Sequence, residues 1–157
     1  MLSVEVIELN QRCGAVAESV LAVQLQAYAF EAKMLGVAHF PPLDRIVEEV
    51  QNSNEVFLGV KFEQDLIGVV SFEEHQNRRE FEIVSLVVKP SWHRMQVATR
   101  LLEAALERAG NSSVVVSTGA MNLPAITLYS KFGFSEYARE IKEAEKVEIV
   151  HLRKCAA

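Results

Sequence analysis

The stretch VVKPSWHRMQVATRLLEAAL, Val87 to Leu106, restricts the fold more than any other part of the chain. A β-branched run stops at Pro90, and an amphipathic helix begins a few residues later. Val97-Ala98, Leu101-Leu102, Ala105-Leu106 and Ala109 recur every three or four residues, the spacing of one broad apolar stripe. Gly110 and Asn111 suit the C-cap. Ser113 to Ser117 is then a short β-branched strand. Strand, helix and strand at these lengths imply a parallel pair in one sheet.

The remaining elements add to that unit. Val4 to Leu9 reads as a strand. Ala15 to Met34 reads as a helix, with Val16, Val20, Val23 and Ala27 on one face. Pro41-Pro42 interrupts it, and Leu43 to Val50 reads as a second, short helix. Glu55 to Phe62 and Leu66 to Phe72 flank the polar turn Glu63-Gln64-Asp65, and Phe81 to Lys89 follows through the polar connection Glu74 to Arg79. Three strands joined so closely predict an antiparallel meander. Pro124 to Lys131 is a helix with Asn122 as N-cap. Phe134 to Arg139 and Val147 to Leu152 close the chain as a hairpin. The expected fold is α/β (α+β), with a mixed, mostly antiparallel central sheet of six to seven strands flanked by helices.

Composition narrows the function. A chain of 157 residues, half hydrophobic and about a quarter charged, suits a single globular domain, 1–157. A formal charge of −5 argues against a nucleic-acid partner, because phosphate binding wants a basic surface. Cys13 and Cys155 stand at opposite ends and make neither a metal spacing nor a disulfide framework. No metal is expected, and a reducing, cytoplasmic setting is. No leader pattern and no apolar run of membrane-spanning length is present, so no membrane partner is expected.

The turn after Pro90 carries His93, Arg94, Met95 and Gln96. A helix that starts just after a strand presents unpaired N–H groups and the positive end of its dipole, a place suited to anions and to phosphates above all. A second stretch, NLPAITLYSKFGF, Asn122 to Phe134, says which phosphate. The two stretches together resemble the GNAT superfamily of acetyl-CoA-dependent N-acetyltransferases. Asn122, Ala125, Leu128, Tyr129, Gly133 and Phe134 match the family's Asn-x-x-Ala-x-x-Leu-Tyr-x-x-x-Gly-Phe segment. The family's Arg/Gln-x-x-Gly-x-Gly/Ala loop is matched less closely: His93 stands at its first position, Gln96 at its first glycine and Ala98 at its second small residue. The resemblance covers about Val56 to Phe134. It implies a cofactor-binding core at 55–134, a variable acceptor-side region at 1–54 and a C-terminal hairpin at 135–157.

The resemblance implies roles for these residues. The amides of Arg94, Met95, Gln96, Val97, Ala98 and Thr99 would hold the pyrophosphate of coenzyme A, with Arg94 and His93 supplying charge. The pantetheine arm would lie along Leu86, Val87 and Val88, where that strand splays from Val114–Val116, and one of their N–H groups could polarise the thioester carbonyl. Asn122 would cap its helix and reach the cofactor. Tyr129 falls where the family has its general acid. Glu82 falls where some members carry a glutamate base, with Glu73, Glu74 and Glu80 in reserve. Its period-2 neighbours Val84, Leu86 and Val88 would give it an apolar face that raises its pKa. The implied reaction is acetyl transfer from acetyl-CoA to a primary amine of a small molecule or peptide. The alternative is a catalytically weak acyl-CoA sensor on the same fold. A homodimer is compatible with either. The acidic residues Glu31, Asp44, Glu48 and Glu49 either favour a cationic acceptor or form a solvated helix face.

Overall fold

A computed structural model describes residues 5–156. Seven strands form one sheet in the order β1-β2-β3-β4-β5-β7-β6. They are β1 Val6–Leu9, β2 Val56–Phe62, β3 Asp65–His75, β4 Glu80–Val88, β5 Ser113–Gly119, β6 Ser135–Lys142 and β7 Val147–Lys154. Four α-helices accompany them: α1 Gly14–Leu35, α2 Val47–Gln51, α3 Val97–Ala109 and α4 Leu123–Lys131. Every strand pair is antiparallel except β4 with β5. The fold is therefore the mixed, mostly antiparallel arrangement expected, with the meander at β2–β4 and the parallel pair bridged by α3. The expected first strand began at Val4, which lies outside the described residues.

The sheet carries a core on each face. Val97, Leu101, Leu102, Ala105 and Ala109 of α3 pack on Val60, Val70, Phe72, Phe81 and Ile83. Ala17, Val20 and Val23 of α1 pack on Phe57, Val69 and Val87 from the other side. Gly68 on β3 lets α3 come close: a Cβ there would lie 2.7 Å from Val97 Cγ1 and 3.0 Å from Leu101 Cδ1. The N-terminus of α3, and the turn that leads into it, are thereby held against the end of β4. Among the described residues no helix is long and apolar enough to cross a membrane.

Two expectations are corrected. Leu43 to Val50 is not one helix. Pro41–Asp44 forms a 3₁₀ turn, Arg45 and Ile46 are extended, and α2 starts at Val47. The interruption has a cause in side-chain bonding. Arg45 turns inward to pair with Glu55 at 2.8 Å, and the Glu49 carboxylate accepts from the Ile46 N–H at 3.0 Å, capping a new helix start. The second correction concerns β4. Ser71 pairs with Ser85, but the next residue of β3, Phe72, pairs with Ile83, so Val84 is an extra residue in β4. This β-bulge inverts the alternation of faces. Glu82 stands opposite Glu73, on the face away from Phe72, Ile83 and Val88, rather than sharing a face with Leu86 and Val88.

Candidate active site

The bulge opens the sheet. β4 and β5 are paired only from Glu80↔Ser113 to Ile83↔Val116. Beyond that point no described residue pairs with β4 on its β5 side, and β5 continues to Gly119 paired with β7. A cavity of about 500 Å³ occupies the gap. Val84, Ser85, Leu86 and Val87 line one wall and Val116 to Gly119 the other. Tyr28 and Glu31 of α1, Phe40 to Pro42 before α2, and Asn122 and Tyr129 on the α4 side complete it. The β6–β7 hairpin adds Lys142 and Glu145.

Asn122, Glu31 and Tyr129 are each placed by an identifiable contact. Asn122 caps α4 through Oδ1, which accepts from the Ala125 N–H at 3.3 Å. Its Nδ2 donates to Glu31 Oε1 at 3.3 Å, so the cap of α4 also locates a carboxylate on α1. Burial pushes the Glu31 carboxyl above its ordinary range, against the opposing effect of the Asn122 hydrogen bond. Tyr129 is 4% exposed, and its ring lies 5.3 Å from that of Phe134. Phe134 reaches this position because Gly133 adopts a φ of 93° as the chain leaves α4. The Tyr129 hydroxyl makes no hydrogen bond to a described side chain. Burial first, then the nearby Glu31 and Tyr28, push its pKa upward, so it is a neutral proton donor across the physiological range.

The turn after Pro90 lies at the far end of β4. Arg94 has φ 64° and Gln96 has φ 63°, both left-handed, and together they curl the chain into the start of α3. The first helical hydrogen bond runs from the Arg100 N–H to the Gln96 carbonyl at 3.1 Å. The N–H groups of Arg94 to Thr99 bond to no described residue. No acidic residue occurs from Ile83 to Leu102, whereas Lys89, Arg94 and Arg100 do. Free amides, a helix N-terminus and an excess of positive charge suit a diphosphate. A strand edge without a partner suits the amides of an extended arm. The residues present therefore fit coenzyme A. His93 is exposed and packs edge-on against Phe30 of α1 at 5.0 Å.

The structure thus brings Leu86, Val87, Asn122 and Tyr129 to one cavity and leaves Val88, Glu82 and the His93–Thr99 turn outside its lining. The Glu82 side chain is 45% exposed and lies 3.0 Å from His75 Nε2. Glu73, His75 and Glu82 can bring one donor atom each within 4.8 Å of the others, the one such group among the described residues with a spacing open to a metal ion. Asn122 reaches Glu31 as well as its own helix. Tyr28 is among the cavity residues that sequence reasoning did not assign. Glu31 stood among acids read either as favouring a cationic acceptor or as a solvated helix face, and the partner that places it at the cavity, Asn122, is remote in sequence.

Comparison with known proteins decides the family. The sequence model of the Acetyltransferase (GNAT) family matches residues 22–134. The chain belongs to this family. It is also 33% identical over 138 residues to the UPF0157 protein YqkA of Bacillus subtilis, covering 87% of this chain and 39% of that protein. The chain thus spans about two fifths of the length of the curated relative it matches. Solved GNAT structures share the whole fold at low identity. A histone acetyltransferase HPA2-related protein from Corynebacterium glutamicum superposes with a TM-score of 0.79 at 15% identity, over 99% of this chain and 98% of that one. The PaiA N-acetyltransferase from Thermoplasma acidophilum, solved in complex with coenzyme A, gives 0.69 at 18% identity over 96% and 98%.

Proposed function

We propose that this GNAT domain transfers the acetyl group of acetyl-CoA to a primary amine by direct attack. The observation that carries the reading is the parting of β4 from β5 after Ile83↔Val116, with Glu31 and Tyr129 on the walls of the cavity so formed. The amides of Arg94 to Thr99 would hold the diphosphate, and the unpaired edge of β4 from Val84 to Val88 would hold the pantetheine arm. The thioester supplies an activated acetyl group.

The chain's own residues supply the rest. An amine is protonated at neutral pH and must lose a proton to attack. Glu31 takes that proton. Its burial favours the protonated form, which makes it a better base than a surface carboxylate. The amine nitrogen forms the C–N bond as the C–S bond breaks, Tyr129 gives a proton to the departing sulfur, and the second proton lost by the nitrogen restores the Tyr129 phenol. A free N–H of β4 faces the carbonyl oxygen as charge develops on it. Glu82, held by His75 and outside the cavity lining, is assigned no part in the proton transfer. The acceptor enters from the side of α1, Phe40–Pro42 and the β6–β7 hairpin.

Titration calorimetry with acetyl-CoA tests the cofactor half of the proposal. Wild type binds, and Ala98→Asp, which sets a negative side chain at the diphosphate site, loses at least tenfold in affinity. Equal affinity of the two proteins removes the assignment of the turn.

A further inference from the structure

Ser117, His151 and Glu140 form a hydrogen-bonded chain that acetyl transfer does not use. Ser117 Oγ lies 2.6 Å from His151 Nδ1, and His151 Nε2 lies 2.9 Å from Glu140 Oε1. The sheet builds this chain. Ser117 of β5 stands directly opposite His151 of β7, so their side chains share a face, and Glu140 comes from the neighbouring strand β6. Ser117 is exposed and lines the cavity, whereas the His151 side chain behind it is only 23% exposed.

The chemistry of the three groups sets the direction of both hydrogen bonds. A carboxylate only accepts, so in the neutral ring His151 Nε2 carries the hydrogen and Nδ1 presents a lone pair. The Ser117 hydroxyl therefore donates to Nδ1. Its proton already points at a base, and its oxygen lone pairs are left free. The hydrogen bond from His151 and the Lys142 ammonium, 3.6 Å away, hold the Glu140 carboxyl below its ordinary range, so it is ionised at neutral pH. A serine, a base that takes its proton and a carboxylate that orients the base are the parts of nucleophilic acyl transfer. Ser117 is also the first residue of β5 beyond its last pair with β4, Ile83↔Val116. Backbone N–H groups on the unpaired edges of both strands border the gap there and can donate to a developing oxyanion.

We infer that Ser117, His151 and Glu140 form a second catalytic centre in this cavity, one that hydrolyses small carboxylic esters through an acyl-serine. Ser117 Oγ attacks the ester carbonyl carbon, and its proton passes to His151 Nδ1. The bond from that carbon to the alcohol oxygen breaks, and the alcohol leaves with the proton. Water then attacks the acyl-serine and gives a proton to Nδ1. The bond to Oγ breaks, Ser117 regains the proton, and the carboxylic acid leaves. The sum is ester and water to acid and alcohol, with no cofactor. Ser117 and His151 are the catalytic residues. Glu140 acts through His151 as a positioning residue, keeping its tautomer and offsetting the imidazolium charge. Leu35, Phe40, Val84 and Leu86 supply an apolar lining for a short acyl chain. The inference stands apart from acetyl transfer: the thioester of that reaction is assigned to the β4 wall, and an ester without a coenzyme A arm enters from the acceptor side.

The experiment joins kinetics to covalent labelling, with no coenzyme A present. Hydrolysis of 4-nitrophenyl acetate is followed for wild type, Ser117→Ala, His151→Gln, their double variant and Glu140→Gln, each checked for cooperative unfolding. Diisopropyl fluorophosphate, which a reactive serine attacks with loss of fluoride, is added to wild type and the product mapped by peptide mass. Wild type turns the ester over and carries one phosphoryl group, on Ser117. Ser117→Ala and His151→Gln each lose about 10²-fold or more in kcat/KM, and the double variant is no slower than either, as for groups that act as a unit. Glu140→Gln loses about tenfold or more in kcat with KM unchanged, which a merely structural role would not produce. A wild type no faster than Ser117→Ala, a label on another residue or no label, or losses that add in the double variant overturn the inference. If His151→Gln does not fold, Ser117→Ala and the labelled residue still decide it. Acetyl-CoA affinity and amine-dependent thiol release, measured separately, report on the acetyltransferase reading alone.

Discussion

Gln96 occupies the position where a glycine would be least strained, and Gln96→Gly should stabilise the protein. Its φ of 63° and ψ of 19° place it in the left-handed region. An L-residue with a Cβ pays about 1–2 kcal/mol there. The Gln96 side chain is exposed and makes no capping hydrogen bond, so its removal deletes no contact that could offset the gain. Glycine is also acceptable at an N-cap, where glutamine is not among the favoured residues. Against this stands the greater freedom of glycine in the unfolded chain, about 0.4–1 kcal/mol. The net expectation is a gain of about 0.5–1 kcal/mol, or roughly 1–4 °C in melting temperature for a domain of this size. Urea unfolding of wild type, Gln96→Gly and Gln96→Ala measures it through the midpoint at constant slope. Gln96→Ala keeps the Cβ and should show no gain. A Gln96→Gly protein no more stable than Gln96→Ala would mean that the turn is not left-handed at this residue, and the curl that frees the amides of Arg94 to Thr99 would have to be redrawn.

Glu31→Gln should lower turnover most near neutral pH and regain part of the loss in alkali, where the amine is already neutral, whereas Glu82→Gln should follow the wild-type pH–rate profile; the reverse pattern returns the base to β4. The same Glu31→Gln protein carries a stability signature. The raised folded-state pKa of Glu31 makes its contribution fullest below the ordinary carboxylate range and diminishes it as pH rises through the raised value. The variant should therefore be the more stable protein at pH 7, with the difference closing on acidification, and a gap that widens toward acid contradicts the burial argument. Gly68→Ala should cost about 1–3 kcal/mol, since its Cβ would meet Val97 at 2.7 Å, and should also weaken acetyl-CoA binding by tilting the N-terminus of α3; a neutral effect in urea unfolding would show that α3 does not rest on β3 there.

Much of this organisation was legible in the sequence because its signals are local. The Pro90 stop, the α3 stripe, the Asn122 cap and the glycine of the Tyr129–Phe134 turn each depend on residues within a few positions of one another. The bulge at Val84 is different. Nothing in FEIVSLVV marks it, since it is imposed by the way Ser71 and Phe72 of β3 meet β4, and it reverses the face on which Glu82 stands. The break at Arg45 depends on Glu55 and Gln24, and the role of Glu31 depends on Asn122, all of them long-range partners. The strain at Gln96 was legible only in that Gln96 stands at the family's first glycine, because the residue type itself does not announce a positive φ. What a chain leaves hidden are the contacts made across the sheet, and the acceptor side of this cavity consists of little else.

Release of thiol from acetyl-CoA, followed for wild type and Tyr129→Phe across a panel of primary amines, bears most directly on the claim that this cavity is catalytic. Tyr129→Phe keeps the ring against Phe134 and removes only a hydroxyl that no described side chain holds, so stability and acetyl-CoA affinity should change little. Wild type should release thiol only when an amine is present. In the variant kcat should fall by about 10²-fold or more, the range typical of a general acid. Thiol release by Tyr129→Phe at the wild-type rate would contradict the assignment of the acid. Tight acetyl-CoA binding by wild type with no amine-dependent thiol release would contradict catalysis itself and leave the fold as an acyl-CoA sensor.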